Sequence, residues 1–198
     1  MTSHLFNQNY HSDVSSKVTF GFWIYILTDA ILFSVLFATY AVLHNNTFGD
    51  ISIKDITYLP YCLLQSIIFL SSSFIYGLGV SAINKHNSMT RIMLSLSLTF
   101  LLGLSFVALE FNEFLHIFMA GGTWQTSAFL SSFFTLLGMH WLHVIVGLLW
   151  IIILMIQIVT HKLTPTMKTR LRCLGLFWDF LNIVWIFIFT TVYLMGAI

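Results

Sequence analysis

Charge is what this sequence has least of. Asp, Glu, Lys and Arg make up 8% of the 198 residues, while hydrophobic residues make up 58%; a soluble domain carries about 25% charged residues. A soluble core of this size has too little interior to hide that much apolar surface. A water-soluble globular domain is therefore excluded, and the bilayer becomes the expected solvent. The formal net charge of +1 offers no basic surface for nucleic acid or another polyanion. Two cysteines are too few for a disulfide framework. The chain also lacks a phosphate-binding loop, a nucleophile elbow and a long polar segment, so nothing in it suggests self-contained catalysis.

Apolar runs are what it has. A span needs about 20 apolar residues at 1.5 Å each, and five segments qualify: Val18 to Leu43, Leu59 to Ile83, Ile92 to Phe118, Ala128 to Val159 and Leu171 to Gly196. The fourth is longer than one crossing requires, which tilt or protrusion accommodates. Residues 1–17 are polar, with no apolar core or small-residue cleavage site, so they read as a polar tail and not as a signal peptide; residues 18–198 read as one membrane domain. The connections are short: His44 to Asp50, Asn84 to Ser88, the Gly121-Gly122 turn, and His161 to Pro165. None has room for a second domain, and no internal repeat is visible. The 20 phenylalanines read as filler for lipid-facing positions, where any large apolar side chain serves.

The basic residues orient the chain. Lys17, Lys85, Arg91, Lys162, Lys168, Arg170 and Arg172 fall on the side of the N-terminus, and Lys54 on the other. Positive residues stay inside, so the expected fold is an all-α polytopic bundle of five transmembrane helices with a cytoplasmic N-terminus and an external C-terminus. On that map Cys62 and Cys173 start their spans at opposite membrane faces. They are too far apart to bridge and read as small buried hydrophobes.

Ionisable residues inside spans are costly and are functional candidates. Asp29 lies about 16 Å into the first span. Glu110 and Glu113 share a face of the third, and His116 continues that face. His140 and His143 share a face of the fourth, and Asp179 and Asn182 a face of the fifth. Two carboxylates one helical turn apart in a low-dielectric setting cannot both carry charge cheaply without a partner on another helix. Two readings stay open for them and for Asp29: a proton-relay or lipid-headgroup site, or interhelical hydrogen bonds that hold the bundle. Asp179 and Asn182 read as polar glue, and Trp178 as a member of an interfacial aromatic belt.

No metal ligand set or cofactor site is expected. Glu113-x-x-His116 is half of a di-iron motif, but the site needs a second copy and two further glutamates, and the chain has no second copy. His140 and His143 are about 5–6 Å apart at Cβ on one helix and cannot grip one haem from opposite faces. Gly77 and Gly79, with Ser71, Ser72 and Ser73, allow a helix to approach closely, either from within the bundle or from a partner.

Several stretches together carry a resemblance. They are Phe20 to Tyr25 leading into Thr28-Asp29 and Ile31 to Leu43; Leu109 to Phe114; Phe129 to Phe134 with Gly138 to Val144; and Leu176 to Trp178 with Val184 to Phe187 and Val192 to Gly196. On these the chain resembles subunit III of the haem-copper oxidases, most closely the cytochrome bo-type ubiquinol oxidase form, over nearly everything after Lys17. The resemblance implies an accessory subunit with no haem, copper or catalytic residue of its own. It would pack against subunit I, which holds the haem and copper, and against the other oxidase subunits, in a bacterial inner membrane. It also implies phospholipid bound in a cleft between helices, support of proton delivery, and a cleft-facing carboxylate at the position resembling Glu113. Five spans match the quinol-oxidase form, whereas the mitochondrial form has more.

Two positions depart from the family's pattern. Asp179 and Asn182 stand where His-x-x-Asp is usual, so a carboxylate survives one turn along. Trp141 stands where glycine is usual between His140 and Leu142, which adds bulk for a lipid-facing or altered contact. The competing readings are the related third-subunit-like protein of nitric oxide reductase, an independent small channel or transporter using Asp29, Glu110 and Glu113, and an assembly factor. The transporter lacks the inverted repeat and interrupted spans that would support it.

Overall fold

The structure, a computed structural model, describes the backbone of residues 2–46, 59–86, 89–161 and 163–195, and the side chains of residues 15–46, 59–81, 89–160 and 163–195. Lys54, Lys162, Asn87, Ser88, Gly196, the side chain of Lys85 and the part of the first connection beyond Asn46 lie outside the described residues. The elements are α1 (Thr2–Leu43), α2 (Leu59–His86), α3 (Met89–Met119), α4 (Ala128–His161) and α5 (Pro165–Ile188), with α5 running into a π-helical segment, Phe189–Leu194. Among the described residues five stretches are long and apolar enough to cross a membrane: Ser15–Leu43, Leu59–Ser81, Met89–Met119, Ala128–Thr160 and Pro165–Leu194. Among the described residues all regular structure is helical, as a bilayer demands of a backbone that must satisfy its own hydrogen bonds.

Helix ends follow local chemistry. After α3, Gly121 sits at φ +90°, where a side chain would be strained. Its N–H reaches the Phe118 carbonyl at 3.1 Å, and that of Gly122 reaches Ile117 at 3.0 Å. This is the paired closure of a Schellman ending, and it turns the chain back toward α4. The fifth span begins earlier than the apolar run predicts, at Pro165 rather than Leu171. Thr164 caps it, its hydroxyl accepting the Met167 N–H at 3.3 Å, and proline occupies the first turn, where its missing N–H costs nothing.

Packing centres on α5. Helices α2, α3, α4 and α5 close a ring of neighbours, α2 on α3, α3 on α4, α4 on α5 and α5 on α2, while α1 lies against α4 and α5. The indole of Trp178 fills the middle of this ring, fully buried, with its N–H on Ser72 Oγ at 3.0 Å. That corrects the expected place of Trp178 in an interfacial belt. Room for it comes from glycines on two other helices: a Cβ at Gly103 would come within 3.0 Å of the Trp178 ring and one at Gly147 within 2.9 Å. Phenylalanine is likewise not confined to the lipid face, since Phe33, Phe69, Phe106, Phe129, Phe133 and Phe177 are core residues. Rings fill wide interhelical gaps and add edge and stacking contacts, such as Phe69 on Phe106 at 4.4 Å. Cys62 and Cys173 are free and buried.

The small residues of α2 serve two faces. Gly79 packs inward, where a Cβ would overlap Ser95, whereas one at Gly77 would meet nothing within 4 Å. Ser66 and Ser72 receive indole N–H groups from Trp185 and Trp178, and Tyr76 donates to the Leu171 carbonyl at 2.7 Å. Through these bonds α2 is tied to α5 from Ser66 to Tyr76.

Candidate functional site

Glu110 and Glu113 sit on the buried stripe of α3, which runs Ile92, Leu96, Thr99, Gly103, Phe106, Glu110, Glu113 and Ile117. The stripe continues at Ile117, one turn beyond Glu113, so His116 is carried off it and is exposed. The expected continuation of the face at His116 is thereby corrected. Glu113 is held from two directions: Tyr193 donates its hydroxyl to Oε1 at 2.8 Å and Gln65 donates its side-chain amide to Oε2 at 3.2 Å. Tyr193 belongs to the π-helical segment. The wider turn there rotates side chains relative to an α-helix, and such segments recur where a helix must place a particular group. Glu110, fully buried, has no protein hydrogen-bond partner at either carboxyl oxygen.

His140 and His143 leave α4 toward different neighbours. His140 is fully buried, its Nε2 3.2 Å from the Leu181 carbonyl. Trp185 stacks on its ring at 5.4 Å, and Phe69 and Phe106 meet it edge-on at 5.8 and 5.9 Å. With these rings packed around it, the imidazole sits in a nest of aromatic side chains. His143 turns to α1. Its Nδ1 engages the Met139 carbonyl at 2.8 Å, which leaves Nε2 to face Asp29 Oδ2 at 3.9 Å. That separation lies within ion-pair range but beyond a hydrogen bond. Phe33 and Phe177 flank the His143 ring, so the one acidic residue of the first span is sealed into the α1–α4 seam.

Asp179 and Asn182 part company, contrary to the shared face expected of them. Positions three apart on a helix diverge by about 60°, and on α5 the edge of the buried surface falls between them. Asn182 is buried and donates to the Trp178 carbonyl at 2.9 Å. Asp179 is exposed and accepts a hydrogen bond from Ser73 of α2. Trp141 is half-buried: its ring stacks on Phe111 at 6.2 Å, and its N–H lies 3.3 Å from the Val107 carbonyl, so it is an α3–α4 contact. Among the described residues no group of three or more His, Cys, Asp or Glu side chains could hold a metal ion.

Sequence reasoning did not find Gln65, Tyr193 or Tyr25 as partners of the acidic groups, and it read Ser73 only as a small packing residue. Gln65 carried a readable signal, a long polar amide inside an apolar run. Tyr193 carried none, because a tyrosine near a span end reads as interfacial.

Residues 2–197 match the family described as cytochrome c oxidase subunit III. The chain is similar to cytochrome bo(3) ubiquinol oxidase subunit 3 of Pseudomonas aeruginosa, 52% identical over 94% of this chain and 88% of that one. It is 44% identical to the protein of the same name from Pseudomonas putida, over 94% and 89%. It is 40% identical to quinol oxidase subunit 3 of Bacillus subtilis, over 94% and 91%. With the match covering nearly every residue, the chain belongs to the cytochrome c oxidase subunit III family.

Proposed function

We propose that the chain is the accessory, non-redox third subunit of a proton-translocating quinol oxidase, a complex that oxidises quinol and reduces oxygen to water. The observation that carries this is the 52% identity, over 94% of the chain, with a protein named as a ubiquinol oxidase third subunit. The names of the relatives favour quinol oxidase over the nitric oxide reductase alternative. In this reading subunit I is the main contact and carries the haem and copper, and other oxidase subunits complete the assembly. The location is the bacterial inner membrane, with residues 1–17 as a cytoplasmic tail, residues 18–198 as the membrane domain and the C-terminus outside; the basic residues Lys17, Arg91, Lys168, Arg170 and Arg172 on one side support that orientation.

The intramembrane polar residues are the candidates for its contribution to lipid binding and proton delivery. Asp29 with His143, and Glu110 with Glu113, are the groups a membrane interior tolerates only with a partner or a use. His140 and Asp179 complete the set. Supporting subunit I through packing requires no chemistry from this chain, in keeping with the absence of a catalytic constellation in its sequence.

The test is an affinity pull-down of the tagged chain in mild detergent with a reduced-minus-oxidised spectrum of the eluate. A haem signal with larger co-purifying subunits, lost when the chain is separated from them, is the expected result. An eluate with no haem and no partners overturns the reading.

A further inference from the structure

Asp179 is a carboxylate on the outside of the bundle at a depth where lipid offers it nothing. It lies about 10 Å along the helix beyond Arg172, the last basic residue of α5, and so within the apolar part of the Pro165–Leu194 span. It is exposed, and among the described residues no basic side chain pairs with it. Ser73 takes one carboxylate oxygen. The surface around it is apolar, with Ile67, Leu70 and Phe74 of α2 and Ile183 and Ile186 of α5 all exposed. An aspartate is too short to reach either headgroup layer from that depth. Its complement must therefore come from a protein at the same depth, and the complement of a carboxylate is a cation.

The backbone beside it is accessible. Ser73, Gly77 and Ser81 recur every four residues on α2, and a Cβ at Gly77 would meet nothing within 4 Å. Small residues at this spacing let a second helix approach its neighbour's backbone. The inward-facing Gly79 is already filled by Ser95, so internal packing accounts for one glycine and leaves the other open.

We propose that the α2–α5 face centred on Asp179 receives a transmembrane helix of a partner subunit carrying a basic side chain at the depth of Asp179, with Ser73 orienting the carboxylate and Gly77 admitting the incoming backbone. The proposal rests on the reading of the chain as a subunit of a larger membrane complex, and the experiment separates the two.

A photo-crosslinking amino acid replaces Phe74 in the tagged chain, the complex is irradiated in the membrane, and the crosslinked peptide is identified by mass spectrometry. Retention of the chain in the complex is then measured for Asp179→Leu, Gly77→Leu and, as a control on an exposed face of α3, Leu101→Ala. The expected crosslink is to a membrane-spanning segment of another subunit with Lys, Arg or His at the depth of Asp179. The ratio of complexed to free chain is expected to fall about tenfold or more for the first two variants and to stay unchanged for the control. Gly77→Leu enters open space, so misfolding does not explain its effect. Asp179→Lys is expected to regain retention when the basic residue of the crosslinked helix is changed to Asp. A crosslink to lipid alone, to a second copy of this chain, or to a helix without a basic residue overturns the proposal and leaves the subunit reading standing, as does full retention of Asp179→Leu and Gly77→Leu. If the unaltered chain captures no partner, both fall.

Discussion

Tyr193→Phe isolates a single interaction at the buried carboxylates. The substitution keeps the ring, and with it the contacts to Phe133 and Trp185 at 6.4 and 6.2 Å. It removes only the hydroxyl that donates to Glu113 Oε1 at 2.8 Å. Tyr193 is fully buried and Glu113 is 8% exposed, so water has little access to replace the lost donor. Gln65, at 3.2 Å on the other oxygen, remains. A hydrogen bond between neutral groups contributes about 0.5–1.5 kcal/mol and one to a charged group about 1.5–3 kcal/mol. The measured loss therefore also reports which form of Glu113 the fold holds. The assay is unfolding of the purified chain in mixed micelles by titration with a denaturing detergent, followed by helical circular dichroism and repeated in a Glu113→Leu background. The expected result is a cost in the range above for the single variant and a cost near zero where the acceptor is already gone, since coupling between contacting residues is what such a cycle measures. An equal cost in both backgrounds refutes the assignment of Tyr193 as the partner of Glu113.

Gly147→Ala drives a Cβ to 2.9 Å from the Trp178 ring, which cannot swing away inside the bundle; a loss of about 1–3 kcal/mol is expected in the same unfolding titration. Thr164→Ala removes the cap of α5 and is expected to cost about 1 kcal/mol, with faster amide exchange confined to the first turn after Pro165. Glu113→Gln is expected to leave the haem content of the purified oxidase unchanged while altering lipid retention or the rate of inactivation during turnover, read by lipid mass spectrometry and prolonged oxygen-uptake traces. Traces and lipid content indistinguishable from the unaltered enzyme count against a role for that carboxylate.

The helices were legible because a membrane imposes a coarse rule, length times apolarity, and that rule placed all five spans from composition along the chain. It reads poorly at the ends. The apolar run gave Leu171 as the start of the fifth span, although the Thr164-Pro165 pair is a helix-start signal that hydropathy ignores. Faces were harder still. In water a helix announces its buried side by the contrast of polar and apolar residues. In lipid both sides are apolar, so Trp178 passed for an interfacial residue when the vacant space beside Gly103 and Gly147, on two other helices, had made it the centre of the core. The acidic residues were found one at a time, because an intramembrane carboxylate is conspicuous on its own. Their partners were not, since Asp29 meets His143 and Glu113 meets Gln65 and Tyr193 only through packing between helices far apart in sequence.

The placement of α1 has a consequence for biosynthesis. It leaves the ribosome well before the surfaces it rests on, α4 and α5, are made. Until α4 is made, α1 lies in the bilayer without its main neighbours, and Asp29 has Tyr25 of its own helix but not yet His143 beside it. The fold therefore closes by docking α1 onto helices made well after it, and a truncation that spares α1 but stops short of α4 would leave that helix without its main neighbours.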